Sequence, residues 1–413
     1  MATSEGEART IVIVGANMAG GRAAETLRQQ GFAGRVVLVG AEPDRPYERP
    51  PLSKEYLQGG RGEDFFLRPP DYYAEHDIEL LAGARATRLD PAARAVELAD
   101  GRRLAYDRLL IATGAAPRRL PIPGADLDGV LYLRTIDEAR DLRERVARAS
   151  RAVVVGMGFI GAEVVASCRQ RGLEVAALEL LPVPLERALG RRIGEIYADI
   201  HRAHGVDLRL GAGVAEFRGD GRVEQVVTAA GERLDCDLAV VGVGVAPVVD
   251  WLAGSGLELQ NGVVVDEYCR TNLPGVYAAG DVANWWHPRL GERLRVEHYD
   301  NAMNQGIAAA KSMLGRGEPY APVPYFWSDQ YDLRMQYVGH AGGQDEVVLR
   351  GSPGDAAWSA WYLRDGRLRA ALAVNRFKDI SAARQLLARD VPVTREQLAD
   401  EGVDLRALAR RAG

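Results

Sequence analysis

The chain is short of cysteine, short of lysine and without a long apolar run, and each shortage removes a class of function. Its 413 residues include three cysteines. These are Cys168, Cys236 and Cys269, far apart and outside any CxxC. That spacing excludes a cysteine metal site and the usual redox dithiol, and no metal centre is expected. Free thiols point to a reducing compartment. No stretch of about 18 apolar residues occurs, so no membrane span is expected. Residues 1–7 are polar and acidic, unlike a secretion signal, and a cytoplasmic protein is expected. The net charge of −5 argues against a nucleic-acid partner. No tandem repeat of about 20–50 residues is visible. Of the 52 cationic residues only Lys54, Lys311 and Lys378 are lysines; a coding bias towards arginine explains the skew and singles out each lysine that remains.

Against these shortages stand 46 glycines, and two clusters of them carry chemistry. Gly15-Ala16-Asn17-Met18-Ala19-Gly20 follows the apolar run Thr10–Val14, and Gly156-Met157-Gly158-Phe159-Ile160-Gly161 follows Ala152–Val155. Each reads as a strand, a glycine turn and a helix, the arrangement that sets a pyrophosphate on a helix N-terminus. One such turn is a weak signal. Two in one chain imply two dinucleotides, and hence electron transfer between them. Asn17 replaces the usual middle glycine of the first turn; it tolerates unusual backbone angles and can donate to an oxygen. Glu42 and Glu179 end the strands after the turns and are positioned to accept hydrogen bonds from adenosine ribose hydroxyls, although Glu42 also reads as a solvated strand end. No arginine lies near Glu179 to meet a 2′-phosphate, which favours NADH over NADPH.

The expected fold is α/β: two Rossmann-like dinucleotide-binding domains plus a C-terminal α+β domain. The boundaries expected are 1–118 for the first part of an FAD domain, 119–247 for an NADH domain, 248–318 for the second FAD part and 319–413 for the C-terminal domain. A Pro-rich loop from about 42 to 60 interrupts the first domain and reads as neither helix nor central strand.

That loop contains Tyr47-Glu48-Arg49-Pro50-Pro51-Leu52-Ser53-Lys54, which resembles the flavin loop of NADH-dependent ferredoxin reductases of the putidaredoxin-reductase and biphenyl-dioxygenase-reductase type, relatives of apoptosis-inducing factor. Ala112-Thr113-Gly114, Leu133-Arg134-Thr135, Ala162-Glu163, Ala279-Gly280-Asp281 and Phe326-Trp327-Ser328-Asp329-Gln330 extend the resemblance over nearly the whole chain. The resemblance implies FAD and NADH as cofactors. It sets Gly15, Ala19, Gly20 and Arg134 on the FAD pyrophosphate, Asp281 on the ribityl chain, and Tyr299 with Trp327 by the pyrimidine side. Lys54 and Glu163 would form an ion pair near the flavin N5 atom. Further cofactor contacts are implied for Asn17, Glu42, Arg49, Ala86, Thr113, Gly114, Gly280 and His298. For NADH they are implied at Gly156, Gly158, Phe159, Ile160, Gly161, Glu163, Glu179, Gly242, Val243 and Gly244. A cation near N5 would stabilise negative charge arriving with a hydride, and it needs a carboxylate partner if buried.

The resemblance also implies a partner, a two-iron two-sulfur ferredoxin serving a haem-thiolate monooxygenase or a Rieske dioxygenase. Arg334, Arg350, Arg364, Arg367, Arg369, Arg376, Lys378 and Arg384 read either as charge for docking it or as a solvated face. Trp285-Trp286-His287-Pro288 reads as part of a candidate electron-exit surface. The missing dithiol, and Ser53-Lys54 where single-cysteine NADH oxidases carry cysteine, leave an outside acceptor for the electrons. Two alternatives stay open on the residues: an NADH oxidase or quinone reductase, and a redox-responsive interaction protein.

Overall fold

Runs of β-branched residues bounded by glycine become the middle strands of two parallel sheets. In a computed structural model describing residues 8–411, the chain divides into two contact units. The acidic segment 1–7 lies outside the described residues. The first unit comprises Met1–Arg49, Glu63–Ala116 and Val245–Pro322; the second comprises Pro50–Gly62, Pro117–Gly244 and Val323–Gly413.

In the first unit the strands Val276–Ala278, Arg108–Ile111, Thr10–Val14, Arg35–Val39 and Ile78–Leu81 form a parallel sheet in that order. Both faces are covered, so the strands read as continuous Val, Ile and Leu rather than alternating. The helices Met18–Gln29 and Tyr299–Met313 pack directly on one another. A Cβ on Gly306 would lie 2.3 Å from the Ala19 carbonyl oxygen, so glycine is needed for that approach.

The second unit repeats the plan. Asp207–Leu210, Glu174–Glu179, Arg151–Val155, Leu238–Val241 and Val130–Leu131 form a parallel sheet in that order. Its C-terminal part is an antiparallel sheet in the order Tyr325–Gln330, Leu333–Gly339, Arg367–Val374, Trp358–Arg364, Glu346–Arg350. The helix Phe377–Ala388 packs on this sheet with a core that includes Trp361, Ile380 and Leu386. The fold is thus mixed α/β, with two Rossmann-like sheets and a C-terminal α+β part.

Two expectations need correction. The second half of the Pro-rich loop is helical: Pro50–Ser53 is a 3₁₀ turn and Glu55–Gln58 a single α turn. Proline is tolerated in a first turn because the N–H it lacks would be unpaired there. The segment 50–62 also packs with the second unit, not with the first domain that its place in the sequence suggested. Its ties are Gln58 Nε2 to Gln170 Oε1 at 2.9 Å, Arg143 to the Arg61 carbonyl at 3.2 Å, and the Lys54 contacts below.

Candidate functional site

Both glycine turns are built to leave a helix N-terminus accessible. Gly15 has φ of 121°, and a Cβ there would fall 2.1 Å from the Ala112 carbonyl oxygen. Gly156 has φ of 92° and would strike the Gly242 carbonyl oxygen at 2.5 Å. At Gly158 a Cβ would meet nothing within 4 Å, so the space before that helix is open. No side chain caps Met18–Gln29 or Phe159–Gln170. By contrast Ile136–Val146 and Arg395–Ala399 carry complete capping boxes, from Thr135 with Glu138 and Thr394 with Gln397. First-turn N–H groups without a cap, beside open backbone, suit a pyrophosphate. The residues present therefore fit the pyrophosphate of a dinucleotide such as FAD or NADH in each unit.

Asn17 Nδ2 donates to the Ala112 carbonyl at 3.0 Å, tying the turn to the neighbouring strand end. Gly20 sits where a Cβ would meet the Gly15 carbonyl at 1.9 Å, and Ala19 is buried beside it. Glu42 accepts from Tyr47 Oη at 2.5 Å and from Arg49 Nη2 at 2.6 Å, so its strand-end carboxylate is braced by the loop. Tyr299 donates to Glu48 Oε1 at 2.7 Å; burial and then Glu48 raise the phenol above its usual range. His298 is the N-cap residue of the same helix. Gly280 N donates to Gln305 Oε1 at 2.9 Å, and the Asp281 carbonyl accepts from Arg295 at 3.1 Å. Thr113 Oγ1 donates to the Val248 carbonyl at 2.8 Å, next to Gly114. Ala86 lies half-buried opposite Leu98 in a small antiparallel sheet.

In the second unit Glu179 accepts from Met157 N at 2.7 Å and from Leu181 N at 2.9 Å. A carboxylate has lone pairs beyond those two, and the backbone bonds orient it. Gly242, Val243 and Gly244 follow the strand Leu238–Val241. Phe159 packs edge-on against Phe326 with centroids 4.9 Å apart, while Ile160 is 46% exposed. Arg134 gives its backbone N–H to Glu138 at 2.8 Å.

The densest charge arrangement is also in the second unit. Lys54 Nζ donates to Glu163 Oε2 at 2.7 Å and to the Pro50 carbonyl at 3.1 Å. Their side chains are 7% and 2% exposed. Ser53 Oγ donates to the same Glu163 oxygen at 2.5 Å, and Ser328 Oγ to the other at 2.7 Å. The buried anion thus has its cation and two hydroxyl donors, the condition for burying a pair without a large penalty. Asp329 stands close by; burial raises its carboxyl above the usual range, Lys54 opposes that shift and Glu163 adds to it. Trp327 lies half-buried on the same strand face as Asp329, since side chains two apart share a face.

Two surface expectations fail. Trp285 and His287 are buried, at 1% and 2% exposure, leaving Trp286 and Pro288 on the surface. Arg350 is 4% exposed, and its guanidinium donates to the carbonyls of Leu398, Asp400 and Val403. It fastens the C-terminal segment and cannot serve a partner. Arg364, Arg367 and Arg376 pair with Asp345, Asp390 and Asp379. Sequence reasoning missed Ser53 and Ser328 as ligands of Glu163, and Tyr47 and Glu48 as braces. All four stand inside the quoted motifs, so neighbourhood to Lys54, Arg49 and Trp327 was the available signal.

Residues 9–306 match the model of the pyridine nucleotide-disulphide oxidoreductase family, and residues 325–409 the reductase C-terminal family. Rhodocoxin reductase of Rhodococcus erythropolis is 42% identical over 404 residues, spanning 97% of this chain and 95% of that protein. The chain belongs to the ferredoxin reductases of this family. The ferredoxin–NAD(+) reductase subunit of the benzene 1,2-dioxygenase system of Pseudomonas putida is 37% identical over 403 residues and 98% of both chains. The solved covalent putidaredoxin reductase–putidaredoxin complex matches with a TM-score of 0.95 and 34% identity, over 98% of this chain and 99% of the other. This ferredoxin reductase is therefore an FAD-containing, NADH-dependent oxidoreductase. Although its family is named for disulphide chemistry, all three cysteines are buried and free. Burial pushes the Cys168 and Cys236 thiols up to about 12 and Cys269 up as well. No helix among the described residues is long and apolar enough to cross a membrane, and none of their side-chain clusters could hold a metal ion.

Proposed function

We propose that this ferredoxin reductase works in the cytoplasm, taking a hydride from NADH and delivering electrons singly to a two-iron two-sulfur ferredoxin that serves an oxygenase. The observation that carries the reading is two dinucleotide turns in a chain whose thiols are all buried and unpaired in disulfides. Bound FAD supplies the chemistry, accepting two electrons at once and releasing them one at a time. The protein's own residues bind and tune. The uncapped helices at Gly15–Gly20 and Gly156–Gly161 hold the pyrophosphates, with Arg134 on that of FAD. Glu179 accepts the NADH ribose hydroxyls and repels a 2′-phosphate. Lys54 is the catalytic cation for negative charge arriving at the flavin N5 atom, and Glu163 is its counter-ion. Asp281, Tyr299, Trp327, Thr113 and Gly280 line the flavin, and Phe159, Ile160 and Gly242–Gly244 line NADH. In domain terms, 1–118 with 248–318 carries FAD, apart from the segment 50–62 that groups with the second unit, 119–247 carries NADH and 319–413 flanks the flavin.

The names of the relatives, which include dioxygenase and putidaredoxin systems, support this choice of acceptor. The test is NADH-driven reduction of a panel of ferredoxins by the purified protein. Fast reduction of at least one is expected. Fast NADH oxidation in air without any carrier, and none faster with one, would make the protein an oxidase instead.

A further inference from the structure

Glu163 is one end of a longer run of hydrogen bonds, all within the second unit. Ser328 Oγ lies 2.7 Å from Glu163 Oε1, and Gln330 Nε2 lies 3.2 Å from Ser328 Oγ. Gln330 Oε1 lies 3.1 Å from His201 Nε2, and His201 Nδ1 lies 2.9 Å from the Tyr331 hydroxyl. Ser328, Gln330 and His201 are 1%, 1% and 0% exposed. The run joins the helix Arg191–Ala203 to the strand Tyr325–Gln330 and then to the helix that carries Glu163.

Its direction follows from the chemistry of each group. A carboxylate only accepts, so the Ser328 hydroxyl gives its proton to Glu163. The Ser328 oxygen then takes the Gln330 NH₂, which turns the Gln330 carbonyl towards His201. A carbonyl also only accepts, so His201 carries its proton on Nε2. Nδ1 is left as the acceptor for Tyr331. Every donor points at Glu163. Burial lowers the His201 imidazole to about 4, with Gln330 opposing and His204 adding slightly, so the ring is neutral at ordinary pH. The groups facing it are Tyr331 and Gln330 from the hairpin and His204 from its own helix, the last stacked on Tyr331 at 3.6 Å.

We propose that His201, Gln330 and Ser328 are positioning residues for hydride transfer, a one-way chain of donors that holds Glu163 against Lys54. This rests on the reading of Lys54 given above. The chain is not a proton wire. Carrying a proton through Gln330 would require its amide to leave the amide tautomer, and a proton leaving Glu163 would have to reverse every bond. Its effect is geometric. Without Gln330, the Ser328 hydroxyl loses the partner that fixes its rotor, and Glu163 loses one of its three donors part of the time. Small displacements of a charged group at a reacting centre cost large factors in rate.

Imidazole ¹⁵N NMR and stopped-flow reduction test this together. In the parent, His201 should show the Nε2–H tautomer and no titration between about pH 6 and 8. Glu163→Leu removes the terminal acceptor, so the Ser328 hydroxyl turns to Gln330, the amide flips and the His201 proton shifts towards Nδ1. Gln330→Met should lower the limiting flavin-reduction rate about tenfold with the NADH dissociation constant unchanged. His201→Gln, which keeps a donor for Gln330, should retain more of the rate than His201→Leu. An Nδ1–H parent, or a parent histidine titrating normally, overturns the proposal without any variant having to fold. So does an unchanged tautomer in Glu163→Leu. If Lys54→Met is slow but Gln330→Met reduces at the parent rate, this proposal alone fails. If Lys54→Met itself reduces at the parent rate, the reading of the pair fails first.

Discussion

Replacing Lys54 by methionine separates two consequences of one buried charge. The side chains are near in volume, so packing changes little, but Glu163 loses its cation. Unit charges 2.7 Å apart attract by roughly 6 kcal/mol at an effective dielectric near 20, most of it offset by desolvation of both groups. Removing one partner of such a pair costs about 3–5 kcal/mol, because the other stays buried and uncompensated. Ser53 and Ser328 still donate to Glu163, which sets the expectation at the low end, about 3 kcal/mol. For a unit of this size each kcal/mol moves the melting midpoint by about 2–4 °C, so a fall of roughly 6–12 °C is expected. The double variant Lys54→Met with Glu163→Leu removes the stranded anion as well, and most of that fall should be recovered. The rate should not recover. A preorganised charge lost from a developing anion costs about 100-fold or more, and both variants should show it as the limiting rate of flavin reduction in stopped flow at saturating NADH. Reduction of Lys54→Met at the parent rate would refute the catalytic assignment. A double variant less stable than the single one would refute the account of the stranded carboxylate.

The purified protein should carry one noncovalent FAD per chain; release of FMN on denaturation would contradict the first glycine turn's assignment. NADH should be preferred to NADPH by at least about tenfold in kcat/KM, one lost or repulsive contact of about 1.4 kcal/mol at Glu179 being enough, and equal use of both in stopped flow would refute it. The thiols should resist alkylation in the native state and react after unfolding. Because the Cys168 and Cys236 thiols are raised from 9.0 to about 12, their contribution to stability is full below pH 9 and is lost as pH rises towards 12, readable as an alkaline fall in melting midpoint. His201 works at the acid side. The unfolded chain takes its proton from pH 6.5 downward and the fold only near 4, so stability falls by ~3 kcal/mol as pH drops through that window. Melts of His201→Gln against pH should show a flatter acid limb, and an unchanged limb would place the acid sensitivity elsewhere.

Much of this protein was legible one segment at a time because its signals are local. A glycine turn between an apolar strand and a helix is a short-range pattern. Its geometry at Gly15 and Gly156 follows from sterics within a few residues and the next strand. The same holds for the strand-end carboxylates Glu42 and Glu179. Asn17 shows the limit: the residue type says that its amide can donate to an oxygen, but only the fold brings it a carbonyl 95 residues away. Arg350 shows it again, since a basic residue in a basic stretch reads as surface until the fold brings five nearby C-terminal carbonyls to it. Composition cannot reveal that a charge is buried, because burial depends on what arrives from elsewhere in the chain.

By itself, then, the sequence determined the two dinucleotide turns, the absence of a redox dithiol, and with the loop around Lys54 the class of oxidoreductase. These are fixed by backbone sterics and by which side chains are present at all. Tertiary structure alone decided which groups share a proton or a charge. It put the loop of Lys54 on the helix of Glu163, 109 residues along the chain. It set Ser328 on the far oxygen of that carboxylate and ran a line of donors back to His201. Hydrogen bonds and desolvation act over a few ångströms in space without regard to separation in sequence, so only packing could assign them.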